Sequence, residues 1–248
     1  RASDASRPGA AGSSNHERRQ PASLEPTLRD SFVLSMSLVN ESTAAKIRFL
    51  SACGNTLAAY ASDVRQNTEA ETWPSNTSSS EEILREIAMS GAEDVVLAWA
   101  DHVIKTLRSM SDRLNNPLER ALGGGPSPAE SSIAEYQRFC WETKAIDAVV
   151  DAMTAANVRM LFSEAGKHAV RVSRTAAALI RIVTACHLFL QSVCQGSTQM
   201  QNYVARFKDT LAAHLGGTVK AADTFAAIYK DNIEQVQDTS AEVVSSFV

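Results

Sequence analysis

The 248-residue chain lacks the short motifs that mark the common catalytic and nucleotide-binding sites. It contains no G-x-S-x-G nucleophile elbow, no H-E-x-x-H zinc helix, no P-loop and no dinucleotide fingerprint. The glycines at 123–125 follow a predicted helix, have no Lys-Ser/Thr partner and stand beside prolines, so they indicate a loop rather than a phosphate cradle. We therefore expect no enzymatic activity and no cofactor.

Metal-binding patterns are also missing. Glu164 and His168 are one helical turn apart and could share a metal, but two ligands are too few unless others converge on them. The pair of Glu-x-x-His motifs that di-iron bundles require is absent. We interpret His102, His187 and His214 as packed or capping residues and expect no metal centre.

Cysteines, aromatic residues and prolines are few or unevenly placed. The four cysteines form no C-x-x-C pair and are interpreted as buried thiols, although their even number leaves disulfides open. Aromatic residues make up only 6% of the chain, which favours close helix contacts over a ligand cavity. All seven prolines lie at or before Pro128 and no strand-like alternation persists, so the sequence predicts an all-α fold.

Apolar residues recur at helical spacing over long stretches. The first stretch covers about residues 25–67, and Ser79 with Glu82 forms a capping box that begins a second helix, which Asn116-Pro117 interrupts. Helices of about 40 residues would be about 60 Å long. We therefore predict an elongated antiparallel bundle of four to six long helices.

The predicted bundle forms a single domain over residues 25–248. Loops are expected near 68–79 and 122–128, and possible breaks at Gly166, Gly196 and Gly216-Gly217. The pattern does not decide whether residues 128–195 form one long helix or a hairpin that turns at Gly166.

Residues 1–24 are rich in Ser, Ala, Gly and Arg and contain almost no large apolar side chains. Such a segment cannot offset its chain entropy by burial, so it is predicted to be a flexible basic arm. Its composition, and a first residue that is not Met, are typical of a processed organelle protein, for example a mitochondrial one. Arg7, Arg18 and Arg19 are the candidate partner-binding residues of this arm.

Acidic residues are absent between Glu164 and Asp209, and within that stretch residues 175–194 are apolar on every face of a helix. A helix that is apolar all round lies either in the centre of a protein or in a membrane. Arg181 and His187 stand inside this segment, and ionised groups at bilayer depth are costly, so we predict the interior of a bundle.

A cationic stripe is the best candidate for a binding site. Lys167, Arg171, Arg174 and Arg181 fall at offsets of 0, 4, 7 and 14, which places them on one face of a continuous helix. The stripe could be neutralised internally by an acidic last helix, or could meet an acidic protein partner or an anionic membrane. Nucleic acid is not expected, because the net charge is −4 and stacking aromatics are missing. The acidic residues of the last helix are Asp223, Asp231, Glu234, Asp238 and Glu242.

Long helices, the mid-chain Asn116-Pro117-Leu118 and a later basic stripe together resemble the crescent bundles of the BAR superfamily over about residues 28–215. That resemblance implies a dimer that binds curved membranes through a cationic concave face. Our leading hypothesis is a non-enzymatic helical structural or adaptor protein that contacts other protein subunits within a larger assembly. The alternative is a BAR-like, membrane-surface-binding homodimer that uses the basic stripe.

Overall fold

The computed structural model describes residues 41–67, 79–89, 92–115, 128–156, 158–217, 219–230 and 232. These residues are almost all helical and include no strand, which confirms the all-α prediction. The contacts discussed below lie within the unit that begins at Ser42. The described helices are α1 (Glu41–Asn67), α2 (Ser80–Met89), α3 (Ala92–Leu114), α4 (Pro128–Glu142), α5 (Ala145–Thr154), a 3-10 helix (Arg159–Phe162), α6 (Glu164–Val172), α7 (Arg174–Cys194), α8 (Thr198–Ala205), α9 (Lys208–Ala212) and α10 (Ala221–Tyr229).

The described helices are shorter and more numerous than predicted, and the longest, α1, has 27 residues. The bundle of four to six long helices is therefore not confirmed. Residues 128–194 form neither one helix nor a simple hairpin, but five helical segments. One interruption falls at Lys144, whose φ of 56° puts it in the left-handed region. Because a lysine rarely adopts that conformation, nothing in the sequence marks this turn.

Serine side chains define several of the helix starts. Ser79 Oγ accepts a hydrogen bond from the backbone N–H of Glu82, as the capping box predicts. Ser163, Ser173 and Ser197 cap α6, α7 and α8 in the same way, with N···Oγ distances of 3.0, 3.2 and 3.3 Å. Each cap satisfies a backbone donor that the first helical turn would leave unpaired.

Helix α7 lies in the interior, as predicted. Side chains on several of its faces are buried, among them Leu179, Phe189 and Leu190. It packs most extensively on α3 and also contacts α5, α6, α8 and α10. Among the described residues, α7 is the one helix whose length and composition would allow it to cross a membrane, and other parts of the chain bury 61% of its most apolar window.

The C-terminal end of α7 is held by a buried glutamine of α4. Gln137 Nε2 donates to the carbonyl oxygens of Val193 and Gln195, at 3.0 and 2.9 Å. The last carbonyls of a helix have no partner within the helix, and burying them unpaired would be costly. Gln137 therefore allows this end of α7 to be buried.

Polar contacts tie α1 to its neighbours around the core. Lys46 Nζ forms an ion pair with Glu135 of α4 at 2.6 Å, and Trp99 of α3 donates from Nε1 to Asp63 Oδ2 at 2.9 Å. Both contacts are partly buried. They fix the position of α1 against two helices that are distant in sequence.

All four cysteines are free and buried, which confirms that they are buried thiols. Burial raises the pKa of each thiol, to about 12 for Cys186 and Cys194. They are therefore protonated at neutral pH and pack as small apolar side chains. The four residues are Cys53, Cys140, Cys186 and Cys194.

Of the glycines at possible breaks, Gly196 and the Gly216-Gly217 pair lie between described helices, whereas Gly166 does not. Gly166 lies inside α6, where a Cβ atom would overlap the backbone of Met160 and Leu161. The missing side chain thus allows the 3-10 helix to fold tightly against the first turn of α6.

We expect Gly166→Ala to lower the free energy of unfolding by about 1–3 kcal/mol. The added Cβ would overlap the backbone of Met160 and Leu161, which can shift only by distorting the 3-10 helix. Gly54→Ala is the matched control. It also lies within a helix, but nothing stands within 4 Å of its added Cβ, so it should stabilise the protein by about 0.5–1 kcal/mol. Urea denaturation of the two variants measures both effects, and a change of the same sign in both would contradict this packing.

Candidate functional site

A groove of about 1100 Å³ runs along α7 and is open to solvent on one side. Helix α3 forms one wall, α8 and α10 form the other, and residues 180–195 of α7 and the turn after it form the floor. The expectation that the helices leave no cavity is therefore wrong. The scarcity of aromatic residues indicated close packing, but α3 and α10 lie on two flanks of α7 and, among the described residues, leave the strip between them uncovered.

The floor of the groove carries both polar and apolar side chains, and Leu188 is the most exposed of the apolar ones. This side chain is 45% exposed, although it belongs to the most apolar helix of the chain. Ser192, one turn further on, is already paired: its Oγ accepts from Asn115 Nδ2 at 2.8 Å and donates to the Leu188 carbonyl. Leu188 is thus the main apolar contact that the floor offers to an occupant.

The lining of the groove carries three cations and two carboxylates. Arg108 and Asp112 stand on α3, Arg181 on α7, and Asp223 and Lys230 on or just after α10. The rim is therefore slightly positive, in a protein whose net charge is −4.

Two of these groups have partners at the surface. Arg181 Nη2 lies 3.6 Å from Asp101 Oδ1, and Asp223 pairs with Lys220 at 3.1 Å. Both pairs are well exposed, so they contribute little to stability and can exchange for an incoming group.

Gln201 supplies a buried polar atom at the edge of the groove. Its Nε2 donates to the carbonyl oxygens of Ala227 and Lys230, at 3.1 and 2.9 Å, and so holds the end of α10. The side chain is only 5% exposed, and its Oε1 has no hydrogen-bond partner among the described residues. An unpaired buried acceptor of this kind is costly.

Behind the α10 wall, two histidines form a buried pair. His187 Nε2 lies 3.2 Å from His214 Nδ1, and His187 Nδ1 lies 3.0 Å from Thr224 Oγ1. Gln191, which also lines the groove, donates to Thr224 Oγ1 at 3.2 Å. One ring donates an N–H hydrogen bond and the unprotonated nitrogen of the other accepts it, so the pair is satisfied while both imidazoles are neutral.

Burial, together with the neighbouring His214, lowers the pKa of His187 to about 3. Burial, with Arg159 nearby, lowers the pKa of His214 to about 4. Both rings are therefore uncharged at neutral pH, and neither faces the groove. The interpretation of these two histidines as packed residues is confirmed, and their contact with Thr224 attaches α10 to α7.

The predicted basic stripe does not lie on one helix. Lys167 and Arg171 belong to α6, whereas Arg174 and Arg181 belong to α7, and Ser173 between them has extended backbone angles. The spacing that put them on one face assumed an uninterrupted helix, so that inference is wrong. Only Arg181 lines the groove.

Other acidic residues than those predicted neutralise part of the stripe. Lys167 pairs with Glu164 on its own helix, and Arg181 pairs with Asp101 on α3. Asp223 is the described member of the predicted acidic helix, and its partner is Lys220. Most of the predicted acidic residues and the arm arginines lie outside the described residues: Asp231, Glu234, Asp238, Glu242, Arg7, Arg18 and Arg19.

Within the part of the chain that the structure describes, no three His, Cys, Asp or Glu side chains are grouped so that they could hold a metal ion. The Glu164 carboxylate, which was one of the two ligand candidates, instead accepts a hydrogen bond from Lys167.

Comparison with known proteins assigns the chain to no family. No family model matches it, and neither a curated protein nor a solved structure matches it significantly. The resemblance to the BAR superfamily therefore rests on the sequence pattern alone.

The groove residues Arg108, Leu188 and Lys230 were missed by sequence reasoning. The spacing of Arg108 and Asp112 at i and i+4 could have marked a polar face on α3, but many surface helices show it. Leu188 had no distinguishing signal, because it stands among equally apolar neighbours.

The two buried histidines should make the protein less stable in acid. Because their folded-state pKa values lie below the ordinary value of 6.5, the unfolded state binds more protons as the pH falls from about 6.5 towards 4. Each ring can then remove up to about 1.4 kcal/mol per pH unit from the free energy of unfolding.

Urea denaturation at pH 7, 6 and 5 measures this dependence. Replacing both rings, as His187→Gln with His214→Gln, should flatten the profile, whereas His102→Gln and His168→Gln, both at exposed positions, should not. An unchanged slope in the double variant would contradict the assignment.

Proposed function

We propose that this chain is a non-enzymatic helical adaptor or structural subunit that works through protein–protein contacts within a larger assembly. The observation that carries the proposal is the groove along α7. The proposed occupant of this groove is an amphipathic helix from a partner protein. Helix-in-groove recognition needs an apolar floor between two walls, and contacts made at helical spacing along it.

The shape of the groove fits such a segment. Its floor follows α7 over residues 180–195, a length of about 24 Å at 1.5 Å per residue. Helices flank it on both sides, and the exposed Leu188 lies on its floor. An occupying helix would therefore cover the one side of α7 that α3 and α10 leave open.

The charge of the rim indicates the chemistry of the partner. Arg108, Arg181 and Lys230 outnumber Asp112 and Asp223, and Asp223 is already paired with Lys220. A helix with acidic residues beside its apolar stripe would therefore be attracted, and a basic helix would be repelled. The partner is thus expected to carry an acidic amphipathic helix.

A protein partner is favoured over a membrane surface for two reasons. The helices of about 40 residues on which the BAR resemblance rests are not found among the described residues, and the four cations of the stripe lie on two helices. The groove, in contrast, offers an exposed leucine between helical walls, which a flat headgroup layer would not reach.

We expect Leu188→Asp to abolish capture of the partner, because it places a charge on the floor of the groove. Leu215→Asp is the matched control, since Leu215 is 50% exposed and does not line the groove. The tagged full chain and both variants would be recovered from the native source, and co-purifying proteins identified by mass spectrometry. A synthetic peptide covering the acidic helix of the partner then tests binding directly by fluorescence anisotropy.

Capture that survives Leu188→Asp, or that is lost equally in both variants, would contradict the groove as the docking site. Circular dichroism and thermal melting of each variant establish that the fold is intact. The double variant Arg108→Glu with Arg181→Glu reverses the charge of the rim and should weaken peptide binding. The loss of affinity relative to the wild type should be largest at low salt, because salt screens the wild-type attraction.

A further inference from the structure

We propose that the buried pair of His187 and His214 holds α10 against α7 at neutral pH and releases α10 when both rings take up protons. Because α10 forms part of one wall of the groove, acid would then regulate the proposed docking site. This regulation rests on the proposed function, whereas the release of α10 can be measured without any partner.

His187 is the point at which α10 is attached to the side of α7. Its Nε2 lies 3.2 Å from Nδ1 of His214, in the segment that leads to α10. Its Nδ1 lies 3.0 Å from Oγ1 of Thr224, which belongs to α10 itself. All three side chains are buried. A single imidazole of α7 thus contacts both α10 and the chain that precedes it.

Thr224 connects this attachment to the groove. Gln191, which lines the groove, donates from Nε2 to Thr224 Oγ1 at 3.2 Å and to the carbonyl oxygen of Lys220 at 3.1 Å. Thr224 Oγ1 donates to that same carbonyl oxygen at 3.1 Å. These contacts hold Lys220 in the left-handed region, at a φ of 67°, which a lysine rarely adopts. Movement of Thr224 away from α7 therefore relaxes a strained residue at the start of α10.

The contact between the two rings exists only while at least one of them is neutral. A neutral ring has an unprotonated nitrogen that accepts the N–H of the other ring. When both rings are protonated, two N–H groups of like charge face each other across 3.2 Å, in a site without solvent. The two imidazolium rings must then separate and reach water. Because His214 and Thr224 lie against His187, this requires α10 to move away from α7.

The surroundings of the pair oppose the added charge. Burial, together with His214, lowers the pKa of His187, and burial, together with Arg159 of the 3-10 helix, lowers the pKa of His214. The ring of Phe162, 5.7 Å from that of His214 between centroids, is apolar. Cys186, next to His187 in sequence, is an uncharged thiol, because burial raises its pKa to about 12.

Charged groups on the neighbouring elements do not provide the pair with a counter-ion. On α10, Lys220 and Asp223 pair with each other at 3.1 Å, and on α6, Glu164 pairs with Lys167. On α9, Asp209 is exposed. No described carboxylate contributes to the pKa of either histidine. Protons taken up by the pair therefore remain uncompensated while α10 is attached.

Helix α10 is small enough to leave α7 while the other helices stay folded. It covers nine residues and contributes three buried side chains. Its far end is held on α8 by Gln201, whose Nε2 donates to the carbonyl oxygens of Ala227 and Lys230. Protonation of the histidines does not change these two bonds, so α10 turns about its attachment to α8.

Hydrogen exchange of the full chain at pH 7, 6 and 5, corrected for the intrinsic rate at each pH, tests the release. The lowered pKa values belong to the attached form, so the detached form binds more protons as the pH falls. With both rings at their ordinary pKa in the detached form, its population should rise about tenfold between pH 7 and 6 and roughly 500-fold by pH 5. Amides of residues 225–229 should exchange faster than those of α7, and with a weaker dependence on added urea, since local opening exposes little surface.

Three variants separate the titration of the pair from its packing. His214→Gln leaves one titrating ring, so the rise between pH 7 and 6 should fall to about threefold. Thr224→Val removes a contact of His187 but no titrating group, so it should speed the exchange of α10 at every pH and leave the pH dependence unchanged. His168→Gln, at an exposed position of α6, should alter neither. Circular dichroism establishes that each variant is folded.

Two results would overturn the release. Exchange of α10 at the same rate as α7, with the same dependence on urea, would show that the histidines titrate only through global unfolding. Exchange of α10 that is independent of pH, or that keeps its full pH dependence in His214→Gln, would remove the histidine pair as the cause.

Partner capture at pH 7 and pH 5 separates this inference from the proposed function. Capture that weakens at pH 5, and weakens less in His214→Gln, supports regulation of the groove, whereas capture unchanged at pH 5 despite release of α10 overturns it. Release of α10 in acid, with capture indifferent to Leu188→Asp, keeps the release and contradicts the adaptor function. Capture lost in Leu188→Asp, with α10 still attached at pH 5, removes the release and leaves the adaptor function.

Discussion

The burial of α7 is the constraint on which the rest of the described structure depends. This helix is apolar on nearly every face, so that each face must be covered either by another helix or by an occupant. Helices α3, α5, α6, α8 and α10 cover most of it. The polar contacts at its end and on its flank, from Gln137 and from the pair of His187 with Thr224, allow that burial without leaving backbone or ring atoms unpaired.

The groove follows from the same constraint. Helices α3 and α10 do not cover the strip of α7 that lies between them. In that strip α7 exposes an apolar side chain, Leu188, to solvent. The deeply buried titratable groups nearby are uncharged at neutral pH. The pKa of the Cys194 thiol is raised to about 12, and the pKa values of the two histidines are lowered, so both rings are neutral. What remains accessible is a groove lined by polar and apolar side chains, with three cations and two carboxylates around the exposed Leu188.

Much of the fold could be predicted from the sequence, because helical periodicity and the absence of later prolines are strong local signals. The interior position of α7 and the Ser79 cap were predictable for the same reason. The helix boundaries at Ser163 and Ser173 were not, since neither has an acidic residue three positions later to complete a capping box. The turn at Lys144 requires a left-handed lysine, which only tertiary contacts can impose.

The candidate site was harder to predict, because a groove depends on the gaps that remain between packed helices. The spacing of the four cations was clear in the sequence, but the cap at Ser173 divides them between two helices and changes their relative direction. Leu188 resembles the buried leucines beside it, and its exposure depends on the positions of α3 and α10. Periodicity assigns residues to the face of a helix, whereas cavities depend on the packing between helices.

Hydrogen exchange of the full chain, read by mass spectrometry, tests most directly whether α7 organises the molecule. Amides over residues 179–194 should exchange only through global unfolding, and should therefore be the slowest among the described helices. Exchange of α7 as fast as that of the short, half-exposed α6 would show that α7 opens locally, and that the other helices do not depend on its burial.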